Sequence, residues 1–453
     1  MAESTNTIQK EIQDREAKEK RELRRKRRRR NQILAILTLL LFVCLIVAII
    51  GTGVWYIMHR GAGKTAGGGA ATTEETTIDN LFESEDEIVK PEETNTEPAL
   101  TPEQQLDAIL DEAFISQMPL EDKVAGLFIV TPESITGVNK AVKAGDGTKD
   151  ALNKYAVGGI VYASQNMQDA AQFTEMVSNT TLYSRYALFT CVAEEGGSST
   201  SLEKAGLADK TDSEQAMGTG ADAAKAYEAS GKIADSMLTY GLNLNFAPVA
   251  DLATVQDSYL KDASYGSDAA LAASFVTFAV QGMQEKGISS CLKYFPGAAD
   301  MKEDPAKGMA TSERTAEQLA AEEFTVFKAG IDAGADMVMV GHVAVPALTG
   351  DNTPCSLSSA VITDKLRNEL GFNGVIITDA MNKGAITEYY ETDEAAILAL
   401  KAGCDMILCP DDFEKAYNGV LEAVQNGTIS EERINDSLRR IYRIKYAGMM
   451  PEA

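Results

Sequence analysis

Asp379 ends a short β-branched run, Val375 to Thr378, with Gly374 before it and a helical pattern after it. Such a run reads as a buried strand carrying a carboxylate at its tip. A carboxylate placed there can serve as nucleophile, acid or base; it can equally do no more than cap the following helix. Other polar residues follow apolar runs in the same way. Glu194 and Glu195 come after Ala187–Val192, Asp251 after Leu244–Pro248, and His342 after Met337–Gly341. Lys293 and Tyr294 lie in the run Ser289–Phe295, and the loop beyond Pro296-Gly297 carries Asp300, Glu303 and Asp304. Carboxylates gathered near a lysine and a histidine are the equipment of acid–base or nucleophilic catalysis. Ordinary loop polarity and a hydrogen-bonded core histidine are the plainer alternatives.

These residues need a scaffold that brings strand ends together. Ala125–Val130, Gly158–Tyr162, Gly374–Thr378 and Met406–Leu408 complete a set of eight candidate strands. Helix-like segments such as Asp169–Asn179, Ala221–Tyr240, Ala269–Lys286 and Glu317–Ala333 lie between them. The amphipathic segment Glu431–Tyr446 reads as a last helix. Strand and helix alternating eight times predict an α/β fold, a (β/α)8 TIM-type barrel, over residues 101–453. Met217-Gly218-Thr-Gly220 mimics a dinucleotide fingerprint, but no strand precedes it and the motif is set aside.

The charge of the chain is divided. Residues 1–32 carry 12 Lys/Arg and 6 Asp/Glu, whereas beyond Arg60 there are 29 basic and 61 acidic residues. An acidic globular part argues against nucleic acid as a partner, since nothing there neutralises phosphates. The basic arm ends in Arg24-Arg-Lys-Arg-Arg-Arg-Arg30 and is followed by Ile33 to Met58, an uncharged run of 26 residues. That is long enough for a tilted membrane helix and too long for the core of a cleaved leader. The positive flank predicts a signal anchor at 33–58, with the N-terminus cytoplasmic and the remainder outside the cell. Residues 59–100, rich in Gly, Thr, Glu and Pro, read as a flexible tether. Cys191, Cys291, Cys355, Cys404 and Cys409 form no C-x-x-C pair and have no histidine partners for zinc, so neither a disulfide framework nor a metal is expected.

Several stretches occur together in a telling order. They are Met118-Pro-Leu-Glu-Asp-Lys-Val124, Glu194-Glu-Gly-Gly197, Asn245-Phe-Ala-Pro-Val-Ala-Asp251, Lys293-Tyr-Phe-Pro-Gly297, Gly341-His-Val343 with Pro346-Ala, and Val375-Ile-Ile-Thr-Asp-Ala-Met381. In this the chain resembles family 3 glycoside hydrolases over about residues 115–447, and within them the single-domain bacterial β-N-acetylhexosaminidases. The resemblance implies that Asp379 is the nucleophile of a retaining glycosidase, forming a glycosyl-enzyme intermediate. It implies sugar-binding roles for Lys293, Glu195, His342, Tyr294 and Asp251, and no metal or nucleotide cofactor.

The chain departs from the family pattern where the acid/base lies. The family's strand-five motif is Lys-His-Phe-Pro-Gly-His-Gly, followed by an Asp-x-His pair; here Tyr294 and Ala298 replace the motif histidines. Asp304 keeps the aspartate of the pair, but Ala306 stands at the histidine. Only His59 and His342 exist in the whole chain, so no histidine can take over from a shifted loop. Ala193 and Ser198 replace the aspartate and arginine of the sugar-gripping motif, and Ala263 replaces a further arginine. Without a positioned acid a glycosidase loses roughly 10²–10⁴ in rate, so turnover is expected to be impaired. Three readings follow: a glycosidase with Asp300, Glu303, Asp304 or Glu194 recruited as acid, an inactive barrel that binds or scaffolds envelope glycan, or a hydrolase for another sugar. A tethered extracellular barrel faces the cell wall, which makes peptidoglycan fragments the expected ligand.

Overall fold

Eight short parallel strands close on themselves in sequence order, β1 pairing with β8. They are β1 (Phe128–Val130), β2 (Gly159–Val161), β3 (Phe189–Val192), β4 (Leu244–Asn245), β5 (Ser289–Phe295), β6 (Met337–Val340), β7 (Val375–Ala380) and β8 (Met406–Leu408). The structure, a computed structural model, describes residues 102–197 and 200–447. The basic arm, the apolar run Ile33 to Met58 and the tether up to residue 100 lie outside the described residues. Among the described residues no helix is long and apolar enough to cross a membrane.

All eight expected strands are present, and the (β/α)8 barrel is the observed fold. Residues such as Ile129, Ile160, Val192, Leu244, Val338 and Ile376 are buried, which is why these runs read as continuously apolar. Differences fall at the element ends. Ala125 belongs to a helix, Leu120–Ala125, so β1 starts three residues later than its apolar pattern suggests. The expected helix Glu317–Ala333 is two helices, Ala316–Ala321 and Glu323–Asp332, that part at Glu322. The last helix is Glu431–Tyr446, as its amphipathic period predicts. The five described cysteines are free thiols.

The N-terminal face of the barrel is held by charge. Asp405, fully buried just before β8, accepts from Arg367 at 2.7 Å, Arg440 at 3.0 Å and the Ser437 hydroxyl at 2.9 Å. One carboxylate thus ties the segment before β7 and the last helix to the barrel floor. The helix Pro102–Ala113 is clamped to that last helix through Arg439 with Asp111 and Arg443 with Asp107. Close packing also explains the discarded glycine motif. Gly218 lies in the helix Glu214–Thr219, where a Cβ would stand 1.9 Å from the carbonyl oxygen of Tyr265. The glycine permits this close backbone contact.

Two irregularities shape the opposite face. Opposite β6, Leu292 pairs with Val338 but Phe295 with Val340, so β5 carries one extra residue at Lys293–Tyr294. Opposite β8, Ile377 pairs with Met406 but Ala380 with Leu408, so β7 carries one at Thr378–Asp379. A bulge re-aims side chains that strict alternation would send to opposite faces. Both bulges sit at residues expected to do chemistry.

Candidate active site

The C-terminal mouth of the barrel holds a pocket of about 250 Å³, lined among others by Tyr259, Tyr294, Asp304, Ala306, His342, Asp379 and Lys383. Four of the sequence candidates (Asp379, Asp304, Tyr294 and His342) therefore share one cavity. Lys293, Glu195 and Asp251 are not among its lining residues. No metal-binding cluster of His, Cys, Asp and Glu occurs among the described residues.

Asp379 is 6% exposed, and both of its oxygens are engaged. Oδ1 accepts the backbone N–H of Ala380 at 2.7 Å, and Oδ2 accepts from Lys383 Nζ at 2.6 Å. Burial opposes its charge most strongly, but the ammonium of Lys383 and the hydrogen bonds the carboxylate accepts from Lys383 and the Ala380 N–H together hold the carboxyl below the usual aspartate range. At neutral pH the residue is a carboxylate. Lys383 in turn lies against the Tyr294 ring, 5.4 Å from its centroid. No motif or apolar run in the sequence marks Lys383. Its four-residue offset from Asp379 is a helical signal, yet here one residue ends a strand and the other follows a turn.

His342 is fully buried. Its Nε2 lies 3.0 Å from the carbonyl oxygen of Ala380, which can only accept, so Nε2 carries the proton. Nδ1 lies 2.7 Å from Ser356 Oγ and accepts from it in the neutral ring. Burial pushes its pKa down. Both nitrogens are committed, so His342 supports the backbone beside Asp379 and has no free proton for a leaving group.

Lys293, 2% exposed, is ion-paired with Glu195. Burial works most strongly against its charge, but the Glu195 carboxylate, with Tyr294 and Glu214 adding to it, raises its pKa. Glu214, which no motif in the sequence marks, is buried nearby and accepts the N–H of Val249 at 3.1 and 3.2 Å. Burial, with Glu195 adding to it, pushes the Glu214 carboxyl well up. Asp251 accepts the Ala298 N–H with both oxygens, at 2.9 and 3.0 Å, and so pins the turn after β5. In that turn Gly297 has φ 107°, a left-handed conformation, and a Cβ would meet Glu323 at 2.5 Å.

The candidate replacement acids are dispersed. Glu194 caps the helix Ser201–Lys204, taking the N–H groups of Ser201 and Leu202 at 2.7 and 2.9 Å, and lines a different cavity. Asp300 accepts from the Ser312 hydroxyl and the Glu313 N–H. Glu303 is exposed. Asp304 alone of these lines the pocket, with Oδ1 accepting the Ala306 N–H at 2.9 Å.

The barrel that carries this site has known relatives. Residues 119–444 match the model of the glycosyl hydrolase family 3 N-terminal domain. The chain belongs to glycosyl hydrolase family 3. Within that family it is of the β-hexosaminidase type: it is 30% identical over 284 residues to a β-hexosaminidase of Stenotrophomonas maltophilia, covering 60% of this chain and 82% of that one. A β-hexosaminidase of Xanthomonas campestris is 31% identical over 270 residues, or 57% and 79% of the two chains. Among solved structures, a family 3 β-N-acetylglucosaminidase from Paenibacillus superposes with a TM-score of 0.69 at 32% identity, over 74% of this chain and 64% of that one. A β-N-acetylhexosaminidase from Beutenbergia cavernae gives 0.65 at 25%, over 73% and 99%. The chain thus spans less than two thirds of the Paenibacillus protein.

Proposed function

We propose that this family 3 barrel is held at the outer face of the cell membrane by residues 33–58 and engages N-acetylglucosamine-containing cell-wall glycan, with β-N-acetylhexosaminidase turnover impaired. The observation that carries the reading is the pocket wall. Asp379 and Asp304 face a common cavity in which Ala306 offers a methyl group where a proton donor is needed, and neither nitrogen of His342 is free. A retaining mechanism needs an acid about 5 Å from the nucleophile, and Asp304 is the one carboxylate among the four recruits that lines the cavity.

The test is hydrolysis of 4-nitrophenyl β-N-acetylglucosaminide by the full-length chain in detergent between pH 4 and 8, beside Asp379→Asn. Slow turnover that the substitution abolishes supports a retaining glycosidase. A rate equal to that of the substituted protein, with chitooligosaccharide binding intact by calorimetry, favours the alternative of an inactive glycan-binding or scaffolding barrel. The double engagement of Asp379 speaks for that alternative. For the anchor, deletion of residues 33–58 is expected to release the protein from carbonate-washed membranes.

A further inference from the structure

We infer that Lys383 is a latch on Asp379, a positioning residue that holds the carboxylate in the pocket wall and away from the anomeric carbon of a bound sugar. The inference rests on the reading of Asp379 as nucleophile and adds a second cause of low turnover, independent of Ala306. Its basis is geometric. With Oδ2 on Lys383 and Oδ1 on the Ala380 N–H, attack must weaken one charge-assisted or backbone hydrogen bond. Attack also spends the negative charge that the ammonium stabilises. Lys383 therefore lowers the ground state more than the transition state, which raises the barrier.

The latch is built in rather than incidental. The Lys383 side chain is 26% exposed and lies against Tyr294. Its backbone carbonyl accepts from the N–H groups of Ile386 and Thr387 at the start of a helical turn. Beside it Gly384 lets the loop Ala306–Gly308 approach so closely that a Cβ would lie 2.8 Å from the Gly308 nitrogen. Lys293 cannot substitute, being paired with Glu195. Nor can Lys383 be the missing acid, because it touches the nucleophile itself, whereas the acid must stand across the scissile bond.

The decisive substrate is 2,4-dinitrophenyl β-N-acetylglucosaminide, which needs no acid. An Asp379 oxygen bonds to C1, the C1–O bond breaks, and dinitrophenolate departs with the bonding pair. Water then attacks C1 of the glycosyl ester, its proton passes to solvent, and the carboxylate is regenerated. In the full-length chain Lys383→Met and Lys383→Gln are expected to raise kcat by about tenfold or more with little change in KM, whereas Lys383→Arg stays at the wild-type rate. Asp379→Asn in the Lys383→Met background should remove the gain. A kcat equal to or below wild type in both folded variants overturns the latch.

A second readout needs no sugar. Isotope-edited infrared titration of the Asp379 carboxyl is expected to show its pKa rising in Lys383→Met, and an unchanged titration overturns the latch whatever the substrate does. If no variant binds chitooligosaccharide but the carboxyl titration shifts, the glycan reading fails while the Lys383 contact stands.

Discussion

Asp304 accepts the backbone N–H of Ala306 at 2.9 Å, turning its carboxylate onto the residue that stands at the family's histidine. In the family pattern the aspartate of this pair serves a histidine two residues on. Here that spacing persists as a capping interaction of the short turn Pro305–Lys307. The Asp304 carboxylate thus holds a backbone N–H, and Ala306 presents a methyl group at that position.

Restoring the donor should therefore restore acid assistance. Ala306→His is expected to raise kcat/KM for 4-nitrophenyl β-N-acetylglucosaminide by about a hundredfold, the lower end of what a positioned acid contributes. The dinitrophenyl substrate should gain little, because its leaving group requires no proton. Steady-state assays on both substrates check this; equal gains on the two would mean the histidine acts on binding.

Buried Lys293 and largely buried Glu195 form an ion pair next to Tyr294 of the pocket wall, with Glu214 adding a second carboxylate. Removing one partner leaves the other uncompensated in a poorly solvated site. Glu195→Gln is expected to cost about 3 kcal/mol in urea denaturation, and Lys293→Met a similar amount. The double variant should cost clearly less than the two added together, since neither charge is then stranded. Strict additivity would mean that the pair contributes nothing as a pair.

How far these features were legible in the sequence depends on which physical signal carried them. The eight strands were legible because both faces of a parallel barrel strand are covered, so Val375 to Ile377 and Met337 to Val340 read as unbroken apolar runs. Asp379 was legible as the polar residue ending such a run. The bulges at Lys293–Tyr294 and Thr378–Asp379 were not, because an extra residue shows only against the neighbouring strand. Tyr259 lies in a stretch without regular structure, where no period marks it as a pocket residue. Glu194 and Glu195 are adjacent at one strand tip, yet one caps a helix and the other pairs with Lys293. Sequence position could not divide those roles.

Glu194 has a consequence for pH. Burial raises its pKa to about 7, from an ordinary glutamate value of 4.5, despite two N–H groups that favour its charged form. Between these values the folded chain binds a proton that the unfolded chain has released. Stability from this group is thus fully present below about pH 4.5 and is lost as pH rises through 7. Glu194→Gln keeps an oxygen for the two N–H groups and cannot ionise. Relative to wild type it is expected to gain on the order of 2–3 kcal/mol on going from pH 4.5 to 8. Urea denaturation of both proteins across that range checks the sign; a constant difference would place the charge in solvent.

The contact between Gly384 and the Ala306–Gly308 loop gives a last test, because it separates steric demand from backbone preference. A Cβ at Gly384 would stand 2.8 Å from the Gly308 nitrogen, 2.9 Å from the Lys307 carbonyl carbon and 3.2 Å from the Ala306 oxygen. These are backbone atoms and cannot rotate aside, so the loop must move as a whole. Gly384→Ala is expected to destabilise by about 1–3 kcal/mol and to make the loop around Lys307 more open to trypsin. Gly147, in the first turn of the helix Asp146–Lys154, meets nothing within 4 Å. There the methyl group has room and the unfolded chain loses freedom, so Gly147→Ala should stabilise by about 0.4–1 kcal/mol. Opposite signs in denaturation midpoints would tie the first cost to the loop, whereas a neutral Gly384→Ala would mean that the wall carrying Ala306 can be displaced freely.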